Sequence, residues 1–236
     1  MLPKYSGKLH GIVPRSKLGR LVPTRSVISD SHDESRSARK HRAIVEAATT
    51  AFLSKGYVGT NMDEIAALAA VSKRTVYHHF ADKDRLFAEI VLATTDEVDG
   101  LVRLVAVALA DTHDVGKDLS ELARRFLSTL MQPQLIQLRR LIIANTDRFP
   151  ELGRTWYERG FERVLATLAA SFQRLAERGL LRVDDPLLAA HHFVGQLLWM
   201  PMNEAMFTGD HQPRTRADLE RYADAAVRAF LDGHRQ

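Results

Sequence analysis

Residues 61–80 read NMDEIAALAAVSKRTVYHHF, and this stretch holds two short helices with almost no chain between them. Asn61 followed by Glu64 has the spacing of a capping box, with the Asn side chain in the place of the usual Ser or Thr. The helix it opens buries Ile65, Leu68 and Ala69. Ser72 caps the next helix, and Val71 before it can pack on Val76 as a hydrophobic staple that sets the angle of chain entry. Only Ala70 and Val71 are left for the turn. Advancing by 100° per residue from Val76, Phe80 and His79 stay on the buried or bordering side. Arg74 and His78 point most directly outward, with Thr75 and Tyr77 beside them.

The exposed arc is therefore cationic, aromatic and hydroxylic. Two short helices with a tight turn, packed on a third, present such an arc to the DNA major groove. Arg can read guanine through two hydrogen bonds, Thr can touch a base edge or a thymine methyl, and Tyr and His can hold phosphate oxygens. Lys73 adds charge where the helix dipole already favours an anion. A merely solvated polar face would show similar residues, but the caps, the staple and the Phe80 anchor favour the DNA-reading arrangement.

Working outward, Ile44, Ala47, Ala48, Ala51 and Phe52 mark an amphipathic helix that Gly56 stops after Lys55. On the other side Asp82 caps a long helix whose apolar stripe runs through Leu86, Phe87, Ile90, Val91, Val98, Leu101 and Val105. Beyond a loop around 111–116, helices are expected over about 118–131, 133–147, 151–178, 186–200 and 217–232, and no strand is evident. Pro133, Pro150, Pro186 and Pro201 sit where they would begin or interrupt helices, and Gly179 and Gly233 where they would end them. The expected fold is all-α. It comprises a basic arm (1–34) expected to be disordered, an N-terminal three-helix helix-turn-helix domain (35–82, extending into the long helix to about 98) and a helical-bundle domain (83–236).

Charge placement supports this division. Residues 1–42 carry ten Lys/Arg against three acids, a net +7, so the remaining chain is 4 − 7 = −3. The arm either follows the minor groove or phosphate backbone, or is a solvated tail. There is no cysteine, which excludes disulfides, thiolate nucleophiles and sulfur-ligated zinc. No apolar run of membrane-spanning or secretory-signal character is present, so a cytoplasmic protein is expected.

The run from Gly56 to Phe87, GYVGTNMDEIAALAAVSKRTVYHHFADKDRLF, resembles the N-terminal domain of the tetracycline-repressor (TetR/AcrR) family of regulators. Diagnostic are Thr60 before the capped helix with Ile65 and Ala66, then Val71 and Ser72, then Tyr77, His79 and Phe80, then Lys83 and Leu86. The resemblance implies phosphate contacts for Thr60, Tyr77, His79 and Lys83, with Lys73, Arg74 and Thr75 at or near bases. Ser72 and His78 complete the expected DNA-binding set. Ala70 stands at a turn position where this family often has Gly, which leaves the turn right-handed or slightly strained. The segment from Leu138 through Pro150 and Trp156 to Gly179, followed by Asp184, Asp185 and Pro186, resembles the C-terminal domains of the AefR-like branch.

One recognition helix reads only a few base pairs, so a double-stranded operator is expected to be bound by a homodimer. The last two long helices offer apolar stripes for pairing, through Leu187, Leu188, His191, Val194 and Leu198, and through Leu219, Tyr222, Ala226, Ala229 and Phe230. The resemblance implies that they join in a four-helix bundle. Between module and dimer surface, Phe126, Met131, Arg148, Phe149, Trp156, Tyr157, Phe161, Gln196, Trp199, Met200 and Asn203 form a neighbourhood suited to a small-molecule effector. No cofactor is implied. A ligand-inducible repressor is the expected function. A metal-responsive or activating regulator of the same fold is the alternative. For an enzyme there is neither a nucleophile motif nor a glycine-rich phosphate loop, and adjacent histidines such as His78/His79 and His191/His192 point about 100° apart on a helix.

Overall fold

Helix caps written into the sequence divide the chain into the elements observed. In the computed structural model, which describes residues 35–208 and 214–234, they are α1 (Arg36–Gly59), α2 (Met62–Leu68), α3 (Lys73–His79), α4 (Lys83–Ala108), α5 (Val115–Leu130), α6 (Pro133–Ile143), α7 (Pro150–Tyr157), a π-helical turn (Glu158–Glu162), α8 (Arg163–Glu177), α9 (Pro186–Thr208) and α10 (Arg216–His234). No strand occurs among the described residues. The basic arm expected at 1–34 lies outside them.

The side chains of Asn61, Ser72, Asp82 and Asp114 each accept from the backbone N–H three residues on, satisfying one of the otherwise orphaned amides at a helix start. Within α1, Gly56 takes a left-handed conformation (φ 72°), which breaks the helix there and leaves Tyr57–Gly59 as a separate final turn. At the other breaks the sequence expectation was too coarse. The helix expected over 133–147 ends at Ile143, where the Asn145 side chain donates to the Leu141 carbonyl. The helix expected over 151–178 widens into the π turn at 158–162. Conversely α9 runs through Pro201 to Thr208. Pro201 forfeits one backbone hydrogen bond, but it and Met202 are buried, and Arg140 donates to the Ala205 carbonyl beyond it. Tertiary contacts thus carry the helix past the proline.

Two apolar cores result. The first gathers Ile44, Phe52, Tyr57, Ile65, Val76, Phe80, Leu86, Phe87 and Ile90 from α1 to the start of α4, together with Leu138, Leu141 and Ile142 of α6. The second joins the remainder of α4 to α5, α8, α9 and α10 around Leu119, Leu127, Phe172, Phe193 and Phe230. Helix α4 runs through both, and α6 anchors in the first.

Candidate nucleic-acid interface and effector cavity

Val76 and Phe80 are buried under α3, so the opposite face of that helix looks outward. Arg74 and His78 are exposed, Tyr77 is 53% exposed, and Thr75 and His79 are half-buried at the margin. Among the described residues Arg74 pairs with no carboxylate, whereas Lys73 is held 2.5 Å from exposed Asp63 of α2. Ser72 is committed to capping, with its hydroxyl on the Thr75 amide at 3.1 Å and beside the Thr75 hydroxyl at 2.8 Å.

A groove beside α3 is lined by Ser72, Arg74, Thr75, His78 and His79 and, across it, by Arg36, Ser37 and Lys40 of α1. These α1 residues were not among those expected at the interface. Their proximity depends on the α1–α3 packing, in which His41 lies 5.0 Å from the Phe80 ring and 5.7 Å from that of His79. Burial, and then the neighbouring His41, hold the His79 imidazole below its ordinary pKa.

Thr60 and Lys83 point inward. Thr60 is only 2% exposed and donates its hydroxyl to the Gly56 carbonyl at 2.9 Å. Lys83 donates to the carbonyls of Tyr57 (2.9 Å) and Thr60 (2.8 Å) and lies 4.3 Å over the Tyr57 ring. Burial, followed by the charge of Arg148, pushes its pKa down. These residues tie the Tyr57–Thr60 turn to the start of α4 and so hold the angle at which α2 and α3 are presented.

The turn itself ends α2 with Val71 N–H on the Ala66 carbonyl (3.0 Å) and Ala70 N–H on that of Ala67 (3.2 Å), a Schellman motif. Ala70 takes the left-handed conformation (φ 52°) usually reserved for glycine. The strained of the two expected turn geometries is the one present.

Behind this module a cavity of about 100 Å³ opens between α4, α5, α6, α7, the π turn, α8 and α9. Its walls are overwhelmingly apolar: Val98, Leu101, Phe126, Leu130, Leu135, Leu138, Trp156, Phe161, Val164, Leu165, Val194 and Met202, with Thr94, Thr129, Gly160 and Arg139.

Residues 44–90 match the family described as bacterial regulatory proteins of the tetR family, and residues 117–235 match the AefR-like transcriptional repressor C-terminal domain. The chain belongs to the TetR family of bacterial transcriptional regulators. Over 86% of its length it is similar to the whole of a putative TetR-family regulator from Mesorhizobium loti, at 55% identity and a TM-score of 0.78. The Flavonoid-responsive Regulator FrrA is similar at 27% identity and a TM-score of 0.63, over 84% of this chain and 97% of that one. The transcriptional activator FasR of Mycolicibacterium smegmatis is 38% identical over 79 residues, 34% of each chain. The chain spans about a third of the length of the first curated relatives it matches.

In this TetR-family regulator only Phe126, Trp156 and Phe161 of the expected effector neighbourhood line the cavity. Met131 packs on the second core instead. Arg148 and Phe149 lie at the Tyr57 ring, 4.9 and 5.1 Å away, on the DNA-reading module. Tyr157 is 51% exposed and stacks on the edge of the site against Phe161. Gln196, Trp199 and Met200 lie on the outer face of α9, where Trp199 is 68% exposed, and Asn203 bonds back to the Trp199 carbonyl at 2.7 Å. Apolar and aromatic composition marks a position as not fully solvated, but on a helix with apolar residues all round it does not say which neighbour covers it. The polar cavity residues Thr94, Thr129 and Arg139 carry no signal in the sequence, because each sits singly in an otherwise ordinary helix.

Of the stripes expected at a dimer surface, Leu187 and Leu188 are half exposed, and His191 and Ala229 are exposed. Leu198, Ala226 and Phe230 belong to the second core, and Val194, Leu219 and Tyr222 pack against it. Each stripe therefore mixes an inner and an outer face. Among the described residues no helix is long and apolar enough to cross a membrane, and no three histidine or carboxylate side chains are grouped to hold a metal ion.

Proposed function

We propose that the protein is a cytoplasmic repressor that binds a two-fold symmetric DNA operator as a homodimer and leaves it when a small molecule enters the cavity. The observation that carries this reading is the outward face of α3, where Arg74, Tyr77 and His78 are exposed on the side opposite the buried Val76 and Phe80. The AefR-like repressor match over 117–235 supports the sign of regulation. The outer face of α9, with Leu187, Leu188, Trp199 and Met200, supports pairing of two chains through α9 and α10. An exposed apolar face of this kind suits a surface that a partner covers.

Release of DNA requires that the effector bind one arrangement of the two modules better than the other, and couplings of about 1–3 kcal/mol are typical. Helix α4 passes from the first core to the cavity wall at Thr94, Val98 and Leu101, so a shift there alters the spacing of the paired recognition helices. Selection of bound sequences from random duplex DNA with the purified protein tests the central claim. Recovery of a palindrome with half-sites about one helical turn or more apart is expected. Recovery of no sequence preference at low salt overturns it.

A further inference from the structure

Among the described residues that line the cavity, Arg139 supplies the only formal charge. Its guanidinium lies 4.6 Å from the centre of the Phe161 ring and 5.8 Å from that of Trp156. Stacking of this kind satisfies the faces of the group and leaves its in-plane N–H donors unanswered. Among the described residues Arg139 has no carboxylate and no hydrogen-bond acceptor, and burial pushes its pKa down. Its neighbours differ: Arg140 donates to the Ala205 carbonyl, and Arg148 lies 3.8 Å from the Asp84 carboxylate.

The other polar groups of the cavity do not answer it. The Thr94 hydroxyl donates to the Val91 carbonyl (2.6 Å) and stands 3.3 Å from the Trp156 indole nitrogen, and the Thr129 hydroxyl donates to the Arg125 carbonyl (2.9 Å). A half-buried cation facing an apolar cavity with no counter-charge among the described residues is expensive to keep for stability alone. A neutral apolar occupant would leave it unanswered and a cationic one would be repelled. An anionic group offers two oxygens to the guanidinium fork. The volume of about 100 Å³ sets the size of what fits without spreading the helices. It is somewhat below the roughly 150 Å³ of an apolar cavity that accepts benzene, so a single-ring acid enters only by pressing the walls apart.

Resting on the reading of this cavity as the effector site, we infer that the effector is a compact organic acid whose carboxylate pairs with Arg139 and whose single ring-sized apolar body fills the space walled by Phe126, Trp156 and Phe161. Binding then pushes on Leu138 and Trp156, which line the cavity and also pack in or against the core of the DNA-reading module.

The test uses the full chain at pH 7.5 and isothermal titration with benzoate, phenylacetate and cinnamate, each beside its primary amide. At least one acid is expected to bind ten-fold or more tightly than its amide. Arg139→Met should abolish that preference by weakening the acid alone, and Arg139→Lys should retain part of it. Equal binding of acid and amide to the wild-type chain overturns the acid preference and leaves the cavity as the effector site. Absence of binding by every probe up to millimolar concentration, or binding undiminished in the cavity-filling variant Leu135→Trp, overturns the cavity reading and the acid with it. Melting of the unliganded Arg139→Met variant provides a second readout. Its Tm should equal or exceed that of the wild type, and a fall of several degrees would show Arg139 to be a packing residue and overturn the inference.

Discussion

Arg74 and Lys40 face the same groove from two helices, yet they differ in what each can contribute to recognition. A planar guanidinium on the outward face of α3 can pair with two acceptors of one guanine, whereas an ammonium on α1 acts as a point charge toward phosphate. Arg74→Ala is therefore expected to lose about 1–3 kcal/mol of affinity for the selected operator and to relax preference at one base pair. Lys40→Ala should weaken binding to all sequences and reduce the salt-dependence slope by about 1. Gel-shift titrations at several salt concentrations separate the two, and unchanged affinity and preference for Arg74→Ala would remove its assignment. Tyr57 behaves differently because it is enclosed. Burial, reinforced by the hydrogen bond its hydroxyl donates to Asp84, pushes its pKa from 10.0 up to about 12. The neutral phenol is thus favoured by folding, so its contribution is full below pH 10 and is lost as pH rises toward 12. Lys83, with its pKa held down, changes stability in the opposite sense over alkaline pH. Comparing denaturant unfolding of wild type and Tyr57→Phe across pH 9–12 isolates the phenol, and the variant should show the smaller alkaline loss.

At the scale of the element, the same closing motif is built twice with different residues. After α8, Gly179 (φ 70°) occupies the left-handed position, with its N–H on the Ala176 carbonyl and that of Leu180 on the Leu175 carbonyl. After α2, Ala70 does so with a Cβ that the conformation disfavours by about 1–2 kcal/mol. Glycine would remove that strain but lose roughly 0.5–1 kcal/mol through its freer unfolded chain. Ala70→Gly is accordingly expected to stabilise by about 0.5 kcal/mol, seen as a small rise in Tm with operator affinity retained. Helix α9 presents its two faces to different environments, with Phe193 and Leu197 in the second core and Leu187 and Trp199 exposed. The double variant Leu187→Glu, Trp199→Glu should keep the wild-type circular dichroism and sediment as a monomer. A dimer unaffected by both charges would place the pairing surface elsewhere.

Across the whole molecule the two cores are joined by more than the continuity of α4. Helix α6 contributes Leu138, Leu141 and Ile142 to the first core while Leu135, Leu138 and Arg139 line the cavity. The turn after it lays Arg148 and Phe149 on Tyr57, with Arg148 also 3.8 Å from Asp84. A ligand that displaces α6 thus moves groups in direct contact with the N-terminal end of α4. Arg148→Ala leaves the cavity wall untouched, because Arg148 does not line it, and should preserve effector binding while narrowing the difference in operator affinity with and without effector. Measuring both affinities on one preparation decides this. Full coupling in the variant would route the transmission through α4 alone.

The all-α class, the caps at Asn61, Ser72 and Asp82, and the outward position of Arg74, Tyr77 and His78 were legible in the sequence, because each is decided within about one helical turn of the residue concerned. Tertiary structure alone decided that Thr60 and Lys83 turn inward, that α1 lends Arg36 and Lys40 to the groove, and that Arg139 faces a cavity while Trp199 faces outward. Those outcomes depend on which of several apolar helices lies against which. Local periodicity records that a face is covered, and the covering partner comes from residues tens of positions away.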